Sequence, residues 1–227
     1  MAIAYVTSGA QVNSGSTTNT ISINNTSGDF LLVGIADNTA TEANVTGVTY
    51  NGVAMTKITS ILKSAANAFY VSLWYLKAPA TGTNNLVATR TTGSGDFYVI
   101  GSFYSGVDQT NPIDNSGAGY NTTTSDGSGA TLTETLTTVS DNCWLASIVF
   151  SDYGGLGANT NCVERQDLNT AVCFYDTNSA QTPAGSKSLI QDTGNNAANK
   201  RRAITVAFQP TASSTTHIKS WSGVANT

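Results

Sequence analysis

Apolar runs of strand length recur along the whole chain, and each is bounded by a cluster of Gly, Asn, Asp, Ser or Thr. That punctuation marks many short strands joined by tight turns. It predicts strands near Ile3 to Thr7, Thr20 to Ile23, Phe30 to Ala36, Val45 to Tyr50, Val53 to Lys57, Tyr70 to Leu76, Leu86 to Arg90 and Phe97 to Tyr104. Further strands are expected near Thr131 to Thr137, Cys143 to Phe150, Val163 to Gln166, Val172 to Tyr175, Ser188 to Gln191 and Ala203 to Gln209. The sharpest local signal is Tyr50-Asn51-Gly52-Val53 between two alternating runs. Asn-Gly there supplies the two positive φ angles of a type I′ turn, so a hairpin is expected. The stretch from Ile58 to Phe69, with Ala65, Ala66 and Ala68, is the one place for a short helix, although it lacks caps.

One stretch echoes through the chain. Ser27-Gly28-Asp29-Phe30-Leu31-Leu32-Val33-Gly34 recurs as Ser94-Gly95-Asp96-Phe97-Tyr98-Val99-Ile100-Gly101, and more loosely as Ser140-Asp141-Asn142-Cys143-Trp144-Leu145-Ala146. Each copy opens on a polar turn and then runs apolar on both faces, as a strand covered on both sides would. These are expected to be central core strands. Duplication and convergent turn-to-strand entry both produce such an echo, and the spacing is too irregular for a solenoid.

Composition narrows the class. The 227-residue chain is 40% hydrophobic but only 11% charged, and about 80 residues are Thr, Ser or Asn. A chain so poor in charge does not suit a helical bundle. Its 10 basic against 14 acidic residues give a net charge of −4, so no basic field exists for nucleic acid, whose binding needs Lys and Arg to neutralise phosphates. The N-terminus has no basic stretch and its apolar run breaks at Thr7, so no signal peptide is expected. No window approaches the roughly 20 apolar residues of a membrane helix, and no membrane partner is expected. The fold expected is all-β: an antiparallel two-sheet sandwich, jelly-roll-like, over residues 1–210, followed by a flexible linker and C-terminal arm at 211–227.

Three cysteines leave at least one thiol unpaired. Cys162 and Cys173 flank an expected hairpin and can form a disulfide if the register sets them opposite; a slip of one residue puts them on opposite faces. Otherwise all three are small buried hydrophobes. In the arm, Ile218, Trp221 and Val224, with Lys219 among them, are too few to build a core and must dock on this domain or on a neighbour. At about 3.3 Å per extended residue, such an arm reaches on the order of 55 Å.

Catalytic chemistry is sparse. The single histidine, His217, lies in the arm, and no Gly-x-Ser-x-Gly elbow is present, which disfavours a nucleophilic triad. A glycosidase needs two carboxylates facing one cleft, yet the only glutamates are Glu42, Glu134 and Glu164, and most aspartates fall at turns. Asp/Asn-rich loops at Asp108 to Asp114, Asp126 to Gly129 and Asp192 to Asn196 lack the alternating pattern of a calcium loop. Trp74 and Trp144 sit inside apolar strands, and Lys200-Arg201-Arg202 reads as a solvated strand entry. No catalytic residue, cofactor or metal site is expected.

Val45-Thr46-Gly47-Val48-Thr49-Tyr50-Asn51-Gly52-Val53-Ala54-Met55-Thr56, then Val71 to Gly82, then Ser105-Gly106-Val107-Asp108-Gln109-Thr110-Asn111-Pro112-Ile113 resemble a β-sandwich module of tailed-phage structural proteins and large bacterial surface proteins. The closing Ile218-Lys219-Ser220-Trp221-Ser222-Gly223-Val224-Ala225 is similar to the Ile-Lys-Ser-Trp-Asn-Gly-Val-type tails of some phage virion proteins, with Ser222 in place of the usual Asn. The resemblance implies a non-enzymatic virion protein made in the host cytoplasm: a capsid decoration or head-fibre subunit, or a tail component, that forms homo-oligomers and binds other virion proteins. The alternative it leaves open is a carbohydrate-binding or adhesive module on an extracellular surface, with a glycan as partner.

Overall fold

The computed structural model describes residues 1–39, 44–62, 69–114, 119–126, 129–152, 154–169, 171–193 and 200–212. The chain is all-β and antiparallel, and its strands form four sheets. In the first part of the chain, β1 (Ala4–Ser14), β3 (Phe30–Asp37), β6 (Thr56–Leu62), β7 (Tyr70–Lys77) and β9 (Asp96–Ser105) form one sheet in the order β1-β9-β3-β7-β6. Against it lies a second sheet of β2 (Thr18–Asn25), β8 (Gly82–Arg90), β4 (Val45–Tyr50) and β5 (Val53–Ala54), in that order.

The second part repeats the plan. Strands β10 (Tyr120–Asp126), β12 (Trp144–Ser151), β14 (Val163–Leu168), β15 (Val172–Asp176) and β17 (Lys200–Phe208) form a sheet in the order β10-β17-β12-β15-β14. Strands β11 (Thr131–Thr138), β16 (Gly185–Thr193) and β13 (Leu156–Thr160) form its partner in the order β11-β16-β13. Replacing β1, β2, β3, β4, β6, β7, β8 and β9 by β10 through β17 in chain order turns the first pair of sheets into the second. Only β5, the short return strand of the Asn-Gly hairpin, has no counterpart.

The expected sandwich is therefore built twice, and the two copies stack back to back. Alternation along the central strands shows how. On β3, Leu31, Val33 and Ile35 point into the core of the first sandwich, while Phe30, Leu32 and Ala36 point into a central core shared with the second. On β12, Trp144, Ala146, Ile148 and Phe150 meet them there, and Leu145 and Val149 face the core of the second sandwich. The strands of the two inner sheets are thus covered on both faces, which accounts for the apolar runs without alternation. The outer strands β2 and β11 alternate strictly between exposed and buried residues, as one-sided strands should.

The two copies are related by an approximate twofold axis. Ile100 pairs with Gly34 as Ile204 pairs with Ile148, so Tyr104 corresponds to Phe208 and Phe30 to Trp144. Phe30 stacks on Phe208 at 5.7 Å, and the exchanged pair, Trp144 on Tyr104, makes an edge contact at 6.0 Å. Tyr104 and Phe208, which correspond to each other, also touch at 4.8 Å.

Several local expectations meet the structure here. The hairpin at Asn51-Gly52 is present, with φ of 48° and 77°. The span from Ile58 to Leu62 belongs to β6 rather than a helix, because its side chains pack on the central core and its backbone pairs with β7; residues 63–68 lie outside the described residues. Strands β10 and β13 were not foreseen, since Tyr120–Asp126 and Leu156–Thr160 carry almost no apolar pattern.

Candidate functional site

The most unusual interior residue is Glu134. Strict alternation on β11 turns Leu132, Glu134 and Leu136 inward, so the acid sits fully buried in the core of the second sandwich. Ser147 Oγ donates to its Oε2 at 2.6 Å, the Thr205 hydroxyl bonds the same oxygen, and Gln191 Nε2 donates to Oε1 at 2.7 Å. The first sandwich holds Ile21, Val33, Ala88 and Gly101 at the four corresponding places, because Ile21 pairs with Leu86 as Glu134 pairs with Leu189. One copy fills this position with apolar groups and the other with a closed polar cluster. Burial pushes the Glu134 carboxyl up to about 7, against the pull of its three hydrogen bonds. Sealed from solvent, it has no face to offer a substrate.

A second cluster lies on the edge strand β14. A bulge between Glu164 and Gln166 resets the pairing with β15, which brings Glu164 and Asp167 to the same face as Cys173. Their ligating atoms fall within 4.8 Å of one another, enough to hold a cation in principle. The thiol is a poor donor, however, because burial holds Cys173 well above the usual thiol range and so keeps it protonated. The opposite face of the bulge is structural: Arg165 makes a paired contact with the buried Asp176, at 2.7 and 2.9 Å, and lies 4.0 Å over the Tyr5 ring.

Cys162 and Cys173 are not opposite each other. Asp167 faces Cys173, and Asp176 faces Val163, so Cys162 falls beyond the paired residues. All three cysteines are free and buried; the Cys162 thiol donates to Ile190 O and that of Cys143 to Ser140 O. The turn aspartates act on local backbone. Asp108 Oδ1 accepts from the amides of Thr110 and Asn111, and Asp114 from those of Val139 and Ser140. Asp126 to Gly129 and Asp192 to Asn196 are only partly described; Asp192 Oδ1 accepts from Asn159 Nδ2, and Thr193 Oγ1 donates to Gly129 O. Trp74 and Trp144 are core residues, 8% and 5% exposed. Arg201 and Arg202 are buried rather than solvated: Arg201 Nη2 donates to Gly129 O and Arg202 Nε to Leu62 O. The arm residues Ile218, Lys219, Trp221 and Val224, like Glu42, lie outside the described residues.

A cleft of about 790 Å³ opens where the two copies meet, beside the last described residues. Its lining includes the apolar Met1, Ile3, Trp144 and Pro210, the acids Asp108 and Asp141, and Ser179 with its neighbours. These residues come from the N-terminus, the connection between copies, two turns of the second copy and the last described segment. No local sequence signal marks them as one site. Gln209 to Ala212 run along the cleft, and the N-terminal amino group donates to Thr211 O at 3.0 Å. Among the described residues, no helix is long and apolar enough to cross a membrane. Compared with known proteins, the chain matches no family model and no curated protein.

Proposed function

We propose that this protein is a non-enzymatic structural protein of a tailed-phage virion, a capsid decoration or head-fibre subunit or a tail component, which assembles through its sandwiches and its C-terminal arm. The observation that carries the reading is the back-to-back fusion of two sandwiches through one continuous apolar core. Such a block leaves sheet edges and neutral, Thr/Ser/Asn-rich outer strands as the surfaces for contact. The virion assignment itself draws on the resemblance of Val45 to Ile113 and of the closing Ile218 to Ala225. The acids support it indirectly, since Glu134 is enclosed by its own hydrogen-bond partners and the turn aspartates hold backbone amides.

The carbohydrate-binding alternative would use the cleft, where Asp108, Asp141 and Asn142 lie near Trp144. Trp144 is 5% exposed, too little for a sugar ring to stack on its face. Light scattering on the full chain and on a chain ended after Pro210 tests the leading reading, together with co-sedimentation on particles that lack the protein. A defined oligomer that dissociates on truncation, and binding to particles, are expected. A monomer that ignores particles but binds a glycan array would replace the virion reading with the alternative.

A further inference from the structure

The polar cluster around Glu134 gathers the partners of an acyl transfer on one carboxylate. Its Oε2 accepts from the hydroxyl of Thr205 on β17 and, at 2.6 Å, from that of Ser147 on β12, while its Oε1 accepts from the Gln191 carboxamide on β16 at 2.7 Å. A hydroxyl is a nucleophile, a carboxamide is an acyl group with nitrogen to leave, and a carboxyl between them can carry the proton from one to the other. The hydroxyls belong to the inner sheet of the second sandwich and Gln191 to its outer sheet, so the groups meet only because the two sheets pack face to face. All four residues are fully buried. One atom is left over: Gln191 Oε1 is buried and accepts no hydrogen bond. A buried acceptor without a partner calls for a reason. Packing does not supply it, because the first copy fills the corresponding places with Ile21, Val33, Ala88 and Gly101.

We propose that the second sandwich cross-links itself: one of the two hydroxyls, of Thr205 or Ser147, attacks Cδ of Gln191 and displaces its nitrogen, leaving an ester between the inner and outer sheets, with Glu134 as the proton carrier. The step balances. A lone pair of the hydroxyl oxygen forms the new O–Cδ bond while its proton passes to Glu134 Oε2. The carbonyl electrons move onto Gln191 Oε1 and return as the Cδ–Nε2 bond breaks, and Nε2 takes a proton from the Glu134 carboxyl and departs as ammonia. Glu134 ends as it began, and no oxidant, cofactor or second substrate is consumed. Holding the reacting groups in one enclosed cluster replaces an encounter in solution by a step within the chain. A carboxyl raised to about 7 populates both of its forms at neutral pH, so it can take up a proton and return one. The burial that denies Glu134 an outside substrate suits it to a single reaction within its own chain and keeps bulk water from the product.

The inference does not rest on the virion reading, and the intact mass of the full-length protein tests it. N-terminal processing aside, the unaltered chain should weigh less than its sequence by the mass of one ammonia. Trypsin cuts after Arg90, Arg165, Lys187, Lys200, Arg202 and Lys219, which sets Gln191 on peptide 188–200, Thr205 on 203–219 and Ser147 on 91–165. Peptide 188–200 should be recovered joined to one of the other two, which names the hydroxyl, and hydroxylamine, which cleaves esters, should part them. Glu134→Gln should keep the full sequence mass. If that variant does not fold, the unaltered chain decides alone: a full sequence mass, with 188–200 recovered unjoined, overturns the inference. An ammonia lost anywhere other than Gln191, for instance by ring closure at Asn51-Gly52, overturns it as well, and a cross-link that persists in Glu134→Gln overturns the role of the acid. None of these outcomes moves the oligomeric state or the binding to particles, on which the virion reading stands.

Discussion

Gly34 and Ile148 occupy corresponding positions in the two copies and touch each other across the central core. A Cβ built on Gly34 would lie 2.7 Å from Ile148 Cδ1 and Cγ1, closer than any unstrained contact. The twofold axis therefore passes near this pair, where two identical side chains could not both fit. One copy contributes the side chain and the other the space for it, so the interface needs the two copies to differ here.

Gly34→Ala should accordingly destabilise the protein by about 1–3 kcal/mol, the usual cost of overpacking a closed core. Combining it with Ile148→Ala should recover part of that loss, giving a coupling energy of about 0.5–3 kcal/mol in a urea-unfolding double-mutant cycle. Simple additivity of the two substitutions would mean that the inner sheets do not meet at this pair.

Much of this architecture was readable in the sequence, and the unread parts have physical causes. Phe30 to Ala36, Phe97 to Tyr104 and Cys143 to Phe150 were expected to be central strands because they are apolar on both faces, and the strands that form there, Phe30–Asp37, Asp96–Ser105 and Trp144–Ser151, are buried along nearly their whole length. The echo at Ser27, Ser94 and Ser140 mixed two relations. Phe30 and Trp144 are true counterparts in the two copies, whereas Phe30 and Phe97 lie on neighbouring strands of one sheet. The looser match pointed to the right strand but one residue out of register, since setting Ser140 on Ser27 puts Cys143 at Phe30; the true counterparts have diverged, Val33 against Ser147 and Gly34 against Ile148. Glu134 shares the face of Leu132 and Leu136, so the alternation of β11 already pointed it inward; its partners Ser147, Gln191 and Thr205 lie on other strands and no local pattern showed them. The cleft was invisible because its residues meet only through the stacking of the two copies.

Glu134 sets a pH dependence that can be measured directly. Its carboxyl rises from the ordinary 4.5 to about 7 in the folded protein because burial penalises the charge. Between those values the unfolded chain has released the proton and the folded chain still holds it, so stability falls as pH rises through that window. It is flat below the lower value and above the upper one, as far as this group is concerned. The total change is at most about 3 kcal/mol. Cys162, Cys173, Tyr175 and Arg201 also face the interior of this sandwich, and none of them is expected to change charge in the window. Glu134→Gln keeps an oxygen for Gln191 and an amide for the two hydroxyls. Denaturant unfolding from pH 4 to 8 should show a steeper fall for the unaltered protein than for the variant, which keeps the contribution of Glu164, also raised by burial; equal slopes would place the titration elsewhere.

Asp37 and Arg90 form a fully buried pair, 2.6 Å between Oδ1 and Nη1, at the end of the first sandwich. Every arm of the arginine is used: Nε donates to Ser16 O, Nη2 to Gly95 O, and the guanidinium lies 4.7 Å over the Phe97 ring. Asn44 Nδ2 donates to the other Asp37 oxygen at 2.7 Å. Asp37→Ala strands a buried cation and should cost about 3–5 kcal/mol, while replacing both partners by apolar residues of similar volume should cost much less. Thermal unfolding of the single and double variants separates the two effects, and a mild loss in Asp37→Ala would show that water reaches the guanidinium.

The three thiols should be inert in the folded protein and fully titratable once it unfolds. Cys143 is pushed up to about 12, first by burial and then by the neighbouring Asp114 carboxylate, and Cys162 and Cys173 are raised mainly by burial. Thiolates are the reactive species, so a colourless folded sample in a disulfide-exchange dye assay at pH 8 is expected. Three equivalents should appear in denaturant without any reductant, since all three cysteines are free. Recovery of a single equivalent would mean that Cys162 and Cys173 had paired after all, which the register of β14 against β15 forbids without a shift of the edge strand. Rapid reaction of Cys173 alone in the native protein would instead point to opening of that edge, where Glu164 and Asp167 lie beside it.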